Sequence, residues 1–225
     1  MIRLFGDRIE QRRRREAERA RGVLAECLAT PLPDRATPAG ELPVLAVDFE
    51  TTGLDPTRDK LLSIGFVAVN GTEIDLGTAA SFVINAGAEV GQSATVHGLT
   101  DDQLAAGCPL EEAVTATVAA LKGRIMLAHF ADIEENFLDA ACRSLFGAGL
   151  PLASIDTMML QQKIRDDKNE RGSIRLWGAR ERWGLPVYRA HEALTDALAC
   201  AELYLAQLTE LGMDTSLKKL LGWSH

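Results

Sequence analysis

A short run near residue 45 limits the fold of this chain more than any other feature of its sequence. After Pro43 come the apolar residues Val44 to Val47, and Gly53 closes the segment, so it has the length and composition of a buried β-strand. Asp48 and Glu50 lie two positions apart within it. Because strand side chains alternate between faces, both carboxylates leave the sheet on the same side. The run therefore predicts a buried strand that ends in a pair of acids.

This pair of acids has two interpretations. Two carboxylates this close resist ionising together unless a cation lies between them. Thr51, Thr52 and Gly53 follow and offer hydroxyl and backbone N–H donors to an anion. Carboxylates and donors at the end of a buried strand favour metal-dependent phosphoryl transfer. The alternative is a strand that merely ends in solvated acids, which is the commoner outcome for an isolated Asp-x-Glu, so other residues must decide.

Composition narrows the class of protein. The chain has 225 residues, 47% hydrophobic and 25% charged, which fits one soluble globular domain with an appendage. No apolar run approaches about 18 residues, and the first residues lack the apolar core of a signal peptide, so we expect neither a membrane span nor secretion. The cysteines are scattered without a C-x-x-C pair, which argues against zinc and predicts reduced thiols and a cytoplasmic location.

The net charge of −8 disfavours a duplex-binding protein that relies on phosphate neutralisation. It does not exclude an enzyme that contacts one strand end through metal ions. Residues 7–28 contain Arg12 to Arg15 and predict a solvated helix, with a nucleic-acid or protein contact as the alternative to a simple soluble face. Residues 31–43 are rich in proline and predict a linker or a wrapping arm. We divide the chain into an N-terminal helical arm with its linker (1–42), a main domain (43–212) and a C-terminal tail (213–225).

The remaining patterns predict an α/β fold with a mixed five-stranded sheet flanked by helices. Further strands are expected at 61–69, 74–84, 125–128 and 153–156, with Asn70-Gly71 as a hairpin turn. Thr100 and Gln103 form a capping box that opens a short helix. Longer helices are expected near 110–122, 131–146 and 193–208.

Two of these helices carry an acidic residue at a position that is expected to be partly or fully buried. With Phe137 at the centre of the apolar face of the helix at 131–146, Glu134 lies about 60° away and Asp132 about 140° away. Glu134 is therefore expected at the margin of the core, and Asp132 in solvent. The helix at 193–208 is apolar nearly all round, and its small residues allow Asp196 to pack close to the sheet. A buried carboxylate is costly without a partner, so Asp196 needs a cation or strong donors.

His191 lies five positions before Asp196, near the helix start. Alone it is more often a capping or surface residue. With Asp48, Glu50, Glu134 and Asp196, however, it completes a set of four carboxylates and one imidazole. Oxygen ligands of this kind suit Mg²⁺ or Mn²⁺ rather than zinc, and an imidazole titrates in the range that a water-activating base requires. The sequence cannot show that the five side chains converge.

At this point the chain resembles the DEDDh exonucleases of the ribonuclease H-like superfamily, which include the proofreading epsilon subunit of bacterial DNA polymerase III. The first motif is matched by Val47 to Asp55, and the third by His191 to Ala197 with its five-residue spacing from His to Asp. Val96-His97-Gly98-Leu99-Thr100 and Asp156-Thr157 are similar to other family segments. In the middle motif, which begins at His129, Glu134 stands where the family usually has Asp.

The resemblance implies a ribonuclease H-like fold over roughly residues 43–208 and a two-metal 3′→5′ exonuclease. It implies that two Mg²⁺ or Mn²⁺ ions are held by Asp48, Glu50, Glu134 and Asp196, and that His191 is the general base. It further implies that Thr51, Thr52 and Leu54 seat the terminal nucleotide of a single strand and that His97, also a substrate-binding residue, lies beside the scissile end. The expected partners are single-stranded or 3′-terminal nucleic acid, with DNA favoured, and a protein held through the N-terminal arm.

Two alternatives stay open. One is a catalytically weak nuclease-like module that holds a 3′ end or a partner, because Glu134 misplaces the second ion. The other is a 3′→5′ exoribonuclease, because the motifs serve DNA and RNA alike and discrimination of the 2′-hydroxyl lies in pocket details.

Overall fold

A five-stranded mixed sheet organises the chain, as the computed structural model shows over residues 3–87, 99–189 and 191–224, with side chains from residue 8 onward. The strands are β1 (Pro43–Thr51), β2 (Leu61–Asn70), β3 (Glu73–Val83), β4 (Ile125–Ala128) and β5 (Ser154–Asp156), in the order β3-β2-β1-β4-β5. β1 pairs antiparallel with β2 and parallel with β4; β2 and β3 are antiparallel, and β4 and β5 parallel. The predicted α/β fold and mixed sheet are confirmed.

Helices cover both faces of this sheet. They are α1 (Arg3–Ala17), α2 (Gly22–Ala29), α3 (Asp101–Ala105), α4 (Leu110–Ala120), α5 (Asp132–Phe146), α6 (Thr157–Lys168), α7 (Leu176–Arg182), α8 (Ala193–Leu211) and α9 (Leu217–Trp223), with a 3₁₀ turn at Ala39–Glu41. Alternate residues of β1 divide between the two cores: Leu45 and Val47 pack in the core that contains residues of α2, α4 and α5, and Val44 and Ala46 in the core that contains residues of α8 and α9. No helix in the described ranges has both the length and the apolar character needed to cross a membrane.

The short-range signals of the sequence act as expected. Thr100 and Gln103 form the predicted capping box at the start of α3, with each side chain accepting from the other residue's backbone N–H. Gly71 has φ +64° in the turn between β2 and β3, a conformation that glycine adopts without steric cost. The α5 helix ends at Gly147 in the left-handed conformation, as helices commonly do.

The N-terminal segment packs against the rest of the chain, and here one prediction is wrong. Arg13, expected on a solvated face, is 3% exposed, and its guanidinium donates to the carbonyl oxygens of Cys27 (2.8 Å) and Thr30 (3.1 Å). These bonds bring a cation to the carbonyl end of α2, where the helix dipole favours positive charge, and they offset the cost of burying that charge. Arg12, Arg14 and Arg15 are exposed, as predicted.

The proline-rich segment also makes defined contacts. The amides of Ala39 and Gly40 donate to the carbonyls of Thr215 and Met213, at 2.8 Å and 2.9 Å. The segment therefore wraps along the residues that precede α9, which corresponds to the wrapping alternative rather than to a free linker. At the other end of α9, the Ser224 hydroxyl accepts from the amide of Asp156 at 3.0 Å.

Candidate active site

The candidate site lies at the carboxyl end of β1, beside the ends of the parallel strands β4 and β5. In α/β sheets, ligands bind at this edge because the side chains that follow parallel strands meet there. Asp48 and Glu50 follow Val44 and Ala46 on the face of β1 that packs toward α8. Asp48 is half-buried and Glu50 is buried, so neither acid is a simple solvated strand end.

Gly65 brings α8 close enough to add a third acid. It pairs with Asp48 across the β1–β2 ladder. A Cβ atom on Gly65 would lie 2.1 Å from the backbone nitrogen of Leu194 and 2.2 Å from the carbonyl carbon of Ala193, so only glycine allows the first turn of α8 to rest on β2. Asp196, in the same first turn, is consequently buried beside β1, at 8% exposure.

Glu50, His191 and Asp196 form the tightest cluster. One potential ligand atom from each residue lies within 4.8 Å of the other two, a separation that a single cation can bridge. The amide of His191 donates to Asp196 Oδ2 at 3.2 Å, and His191 itself has φ +67°, an uncommon conformation for a residue other than glycine. The loop before α8 thus turns sharply to hold the exposed imidazole over the two buried carboxylates.

Glu134 approaches the same region from α5. It is 4% exposed on the first turn of the helix, whereas Asp132 is exposed, as the helical-face argument predicts. The backbone N–H groups of Phe49 and of Glu134 itself stabilise its charged form in part, which places the carboxyl group against β1 next to Asp48.

The electrostatics agree that the four acids share one volume. Burial raises the pKa of Asp48 well above its ordinary value, and the charges of Glu134, Asp196 and Glu50 raise it further. Burial also raises the pKa of Glu134 to about 8, with the charge of Asp156 adding to the effect. The pKa of Glu50 rises to about 7 through burial and the charge of Asp196, and burial raises the pKa of Asp196. Four buried carboxylates resist ionising together, and nearby cations would favour their charged forms.

The donor set fits divalent cations with a preference for oxygen. Within the described residues, Asp196 Oδ1 and Glu134 Oε2 are buried without a hydrogen-bond partner. Buried acceptors of this kind are costly, and an ion at either oxygen would remove the cost. Carboxylate oxygens with one imidazole match Mg²⁺ or Mn²⁺ better than a thiolate-preferring metal.

Three of the four residues predicted to contact the substrate lie in the described part of the chain. The Thr51 hydroxyl donates to the Gly53 carbonyl at 2.6 Å, and the Thr52 hydroxyl donates to Asp59 Oδ1 at 3.1 Å, so both protons are used to shape the loop after β1. Leu54 projects from that loop and is 72% exposed. His97 falls within 88–98, outside the described residues.

Gly65 is a site-forming residue that the motif analysis did not single out. The sequence does contain a sign of this role, because an isolated glycine inside an apolar strand indicates a bulge or a close approach of another backbone.

Arg180 on α7 is a second such residue. It is 1% exposed, and its guanidinium donates to the carbonyls of Ala199 (2.7 Å) and Pro186 (2.8 Å) and to the Glu202 carboxylate (2.7 Å). These bonds tie the segment that leads to His191 against α8. No sequence pattern predicts this contact, because its partners are mostly backbone carbonyls.

With this geometry established, comparison with known proteins identifies the family. The RNase_T exonuclease family model matches residues 45–204, which include most of β1, all of α5 and most of α8. The chain belongs to this exonuclease family. The match confirms the resemblance to DEDD-type ribonuclease H-like exonucleases drawn from the motifs around Asp48 and Asp196.

Sequence relatives agree with this assignment. The chain is 30% identical over 169 residues to the PolC-type DNA polymerase III of Thermotoga maritima, a match that covers 74% of this chain and 12% of the polymerase. It is 28% identical over 163 residues to the DNA polymerase III subunit epsilon of Treponema pallidum, covering 72% of this chain and 75% of the subunit. The chain therefore spans only about an eighth of the PolC-type protein.

Solved structures show the same fold. E. coli exonuclease I in complex with a dA16 oligonucleotide superposes with a TM-score of 0.63 at 14% identity, covering 81% of this chain and 42% of that one. The cell-death related nuclease 4 superposes with a TM-score of 0.62 at 14% identity, covering 76% of this chain and 64% of that one. The expected ribonuclease H-like sheet with its flanking helices is confirmed.

Proposed function

We propose that this chain is a metal-dependent 3′→5′ exonuclease that hydrolyses the terminal phosphodiester bond of single-stranded DNA and releases nucleoside monophosphates. Membership of the exonuclease family supports a nuclease. The convergence of Asp48, Glu50, Glu134 and Asp196, with pKa values raised by burial and mutual repulsion, carries the metal dependence. The proposed 3′→5′ direction follows from the family motifs, and the single DNA strand from the oligonucleotide bound to exonuclease I.

Each side chain has a proposed role. Asp48 would hold both ions, Glu50 and Asp196 would complete the first position, and Glu134, whose Oε2 is buried without a hydrogen-bond partner, would support the second through a water molecule. When bound, Mg²⁺ or Mn²⁺ ions supply charge stabilisation at the phosphate and a more acidic water. His191 accepts the proton of the attacking water. Thr51, Thr52 and Leu54 seat the terminal nucleotide, and a place for His97 beside the scissile end is part of the same proposal.

His191 lies close enough to Glu50 and Asp196 to bind an ion itself, and one comparison separates the two roles. If His191 is the general base, His191→Asn should lower kcat by roughly 10²–10⁴-fold and leave Mn²⁺ affinity nearly unchanged. If it is a ligand, Mn²⁺ affinity measured by calorimetry falls with the rate.

The function itself is tested by end-labelled substrates. In Mg²⁺, the wild type should release label at once from a 3′-labelled single strand and leave a ladder of shortened products from a 5′-labelled one. Asp48→Asn should do neither. An Asp48→Asn protein with near wild-type hydrolysis would refute the assignment, and a wild type that binds the strand without shortening it would favour the nuclease-like binding module. RNA of the same sequence, tested side by side, decides between the DNA and RNA substrates.

Two proposals remain, one on a protein partner and one on the cellular location. The exposed Arg12, Arg14 and Arg15 of α1 are the proposed contact for a protein partner, because Arg13 is committed to the fold. The four cysteines are free thiols, and the cytoplasmic location predicted from their scatter stays a prediction.

A further inference from the structure

Phe130 stands out at the edge of the candidate site. It lies between β4 and α5, the residue is 42% exposed, and its backbone has φ +75°. A left-handed backbone conformation is uncommon for any residue other than glycine, and for a bulky residue it is an outlier that needs a cause.

The cause of the conformation is Asp156 rather than the phenyl ring. The amides of Phe130 and Ala131 donate to Asp156 Oδ1 and Oδ2, both at 3.1 Å, and Asp156 is itself buried at the end of β5. This clamp fixes the turn that starts α5 whichever side chain stands at position 130. Asparagine adopts the left-handed conformation more readily than phenylalanine, so folding alone does not favour an exposed ring here.

The position of Phe130 in the fold, close to the acids, suggests a use for its ring. β4 neighbours β1 on the side away from β2, and the pairing of Ala46 with Leu127 brings the residues after β4 beside Asp48. Phe130 also stands four residues before Glu134, just ahead of the start of α5. It therefore flanks the carboxylates on the opposite side of β1 from the loop that carries Leu54.

We propose that Phe130 is a substrate-binding residue on which the base of the penultimate nucleotide stacks. The inference rests on the proposed function: if the loop with Leu54 seats the terminal nucleotide and the acids hold the scissile phosphate, the next base toward the 5′ end lies on the Phe130 side. An exposed aromatic ring stacks on any base, so the contact adds affinity without sequence preference.

The test compares Phe130→Ala and Phe130→Asn with the wild type on a single-stranded oligonucleotide. Stacking of one base predicts that KM rises roughly 5- to 100-fold while kcat changes little. The p-nitrophenyl ester of thymidine 5′-monophosphate has no penultimate base, so its turnover should be unchanged. Phe130→Trp should restore the affinity. Leu76→Ala is the matched control, because Leu76 is an exposed apolar residue on β3, away from the site.

An abasic nucleotide makes the test specific to one position. Placed at the penultimate position, it should weaken wild-type binding as much as Phe130→Ala does, and the two changes together should cost no more than either alone. Placed at the terminal position, its effect should add to that of Phe130→Ala. Additivity at the penultimate position, or an unchanged KM in Phe130→Ala, overturns the proposal.

Failure of this proposal and failure of the proposed function give different results. If the wild type cleaves and Phe130→Ala cleaves with the same KM, only the stacking role falls. If the wild type does not cleave at all, the proposed function falls, and the anisotropy of a labelled oligonucleotide in Ca²⁺ decides whether Phe130 contributes to binding. Phe130→Asn guards against misfolding, since its melting temperature should equal or exceed that of the wild type.

Discussion

Removing the charge of Glu134 should stabilise the metal-free protein while damaging its activity. Burial raises the pKa of this carboxyl from an ordinary 4.5 to about 8, so at pH 7 the folded protein holds a proton that the unfolded chain has released. The difference of pKa costs the wild type about 2–4 kcal/mol of stability at pH 7. Glu134→Gln keeps the shape of the side chain and does not titrate, so it should recover most of that amount, or roughly 5–10 °C in melting temperature.

The pH dependence fixes the sign of the effect. A group whose folded pKa is raised stabilises the fold fully below its unfolded pKa, and that contribution is lost as pH rises through the folded pKa. The advantage of Glu134→Gln should therefore be near zero below pH 4.5 and grow up to about pH 8. Thermal melts in EDTA across this range measure it, with Asp132→Asn, an exposed acid on the same helix, as the control expected to change stability by less than about 0.5 kcal/mol.

Mn²⁺ at a thousand times its dissociation constant should reverse the order, because an ion that binds the folded wild type and not the variant stabilises the wild type by about 4.1 kcal/mol. A Glu134→Gln protein that melts below the wild type in EDTA at pH 8 would show that the carboxyl is not strained by its surroundings, and the electrostatic argument would fail.

Three further predictions concern the frame of the site. Gly65→Ala should push the start of α8 off β2 and so weaken Mn²⁺ binding at least tenfold in calorimetry, whereas the same change at Gly222, where a Cβ meets nothing within 4 Å, should leave it unchanged. Arg13→Met should lower the free energy of unfolding by about 2–4 kcal/mol in urea denaturation, because buried carbonyls lose a charged donor; Arg14→Met, at an exposed position, should not. Burial lowers the pKa of His129 from 6.5 to about 4, so the stability that its neutral form contributes is lost as pH falls from 6.5 toward 4, by about 2–3 kcal/mol. Over that interval the wild type should lose stability relative to His129→Asn. Free energies of unfolding that change with pH in parallel for the two proteins would contradict the effect of burial.

The sequence was most informative where a local pattern has one physical outcome. Alternation along β1 placed Asp48 and Glu50 on one face, the helical step of about 100° separated Glu134 from Asp132, and Thr100 with Gln103 marked the start of α3. In each case the partners are a few residues apart, so the geometry follows from strand or helix periodicity alone.

The features that the sequence did not predict depend on contacts between segments that are distant along the chain. Arg13 is buried where its guanidinium meets the carbonyl oxygens at the end of α2, and nothing within the arginine run distinguishes it from Arg12 or Arg14. The conformation of Phe130 is set by Asp156 on another strand, and that of the segment before His191 by Arg180. Local periodicity carries no information on such contacts, which only the assembled fold defines.

The central claim is that folding gathers Asp48, Glu50, Glu134 and Asp196 around divalent ions, and calorimetric titration with Mn²⁺ tests it most directly. We expect two ions per chain for the wild type and loss of both in Asp48→Asn, at a pH where both proteins are folded. Binding of two ions by Asp48→Asn with wild-type affinity, or no measurable binding by the wild type, would contradict the account.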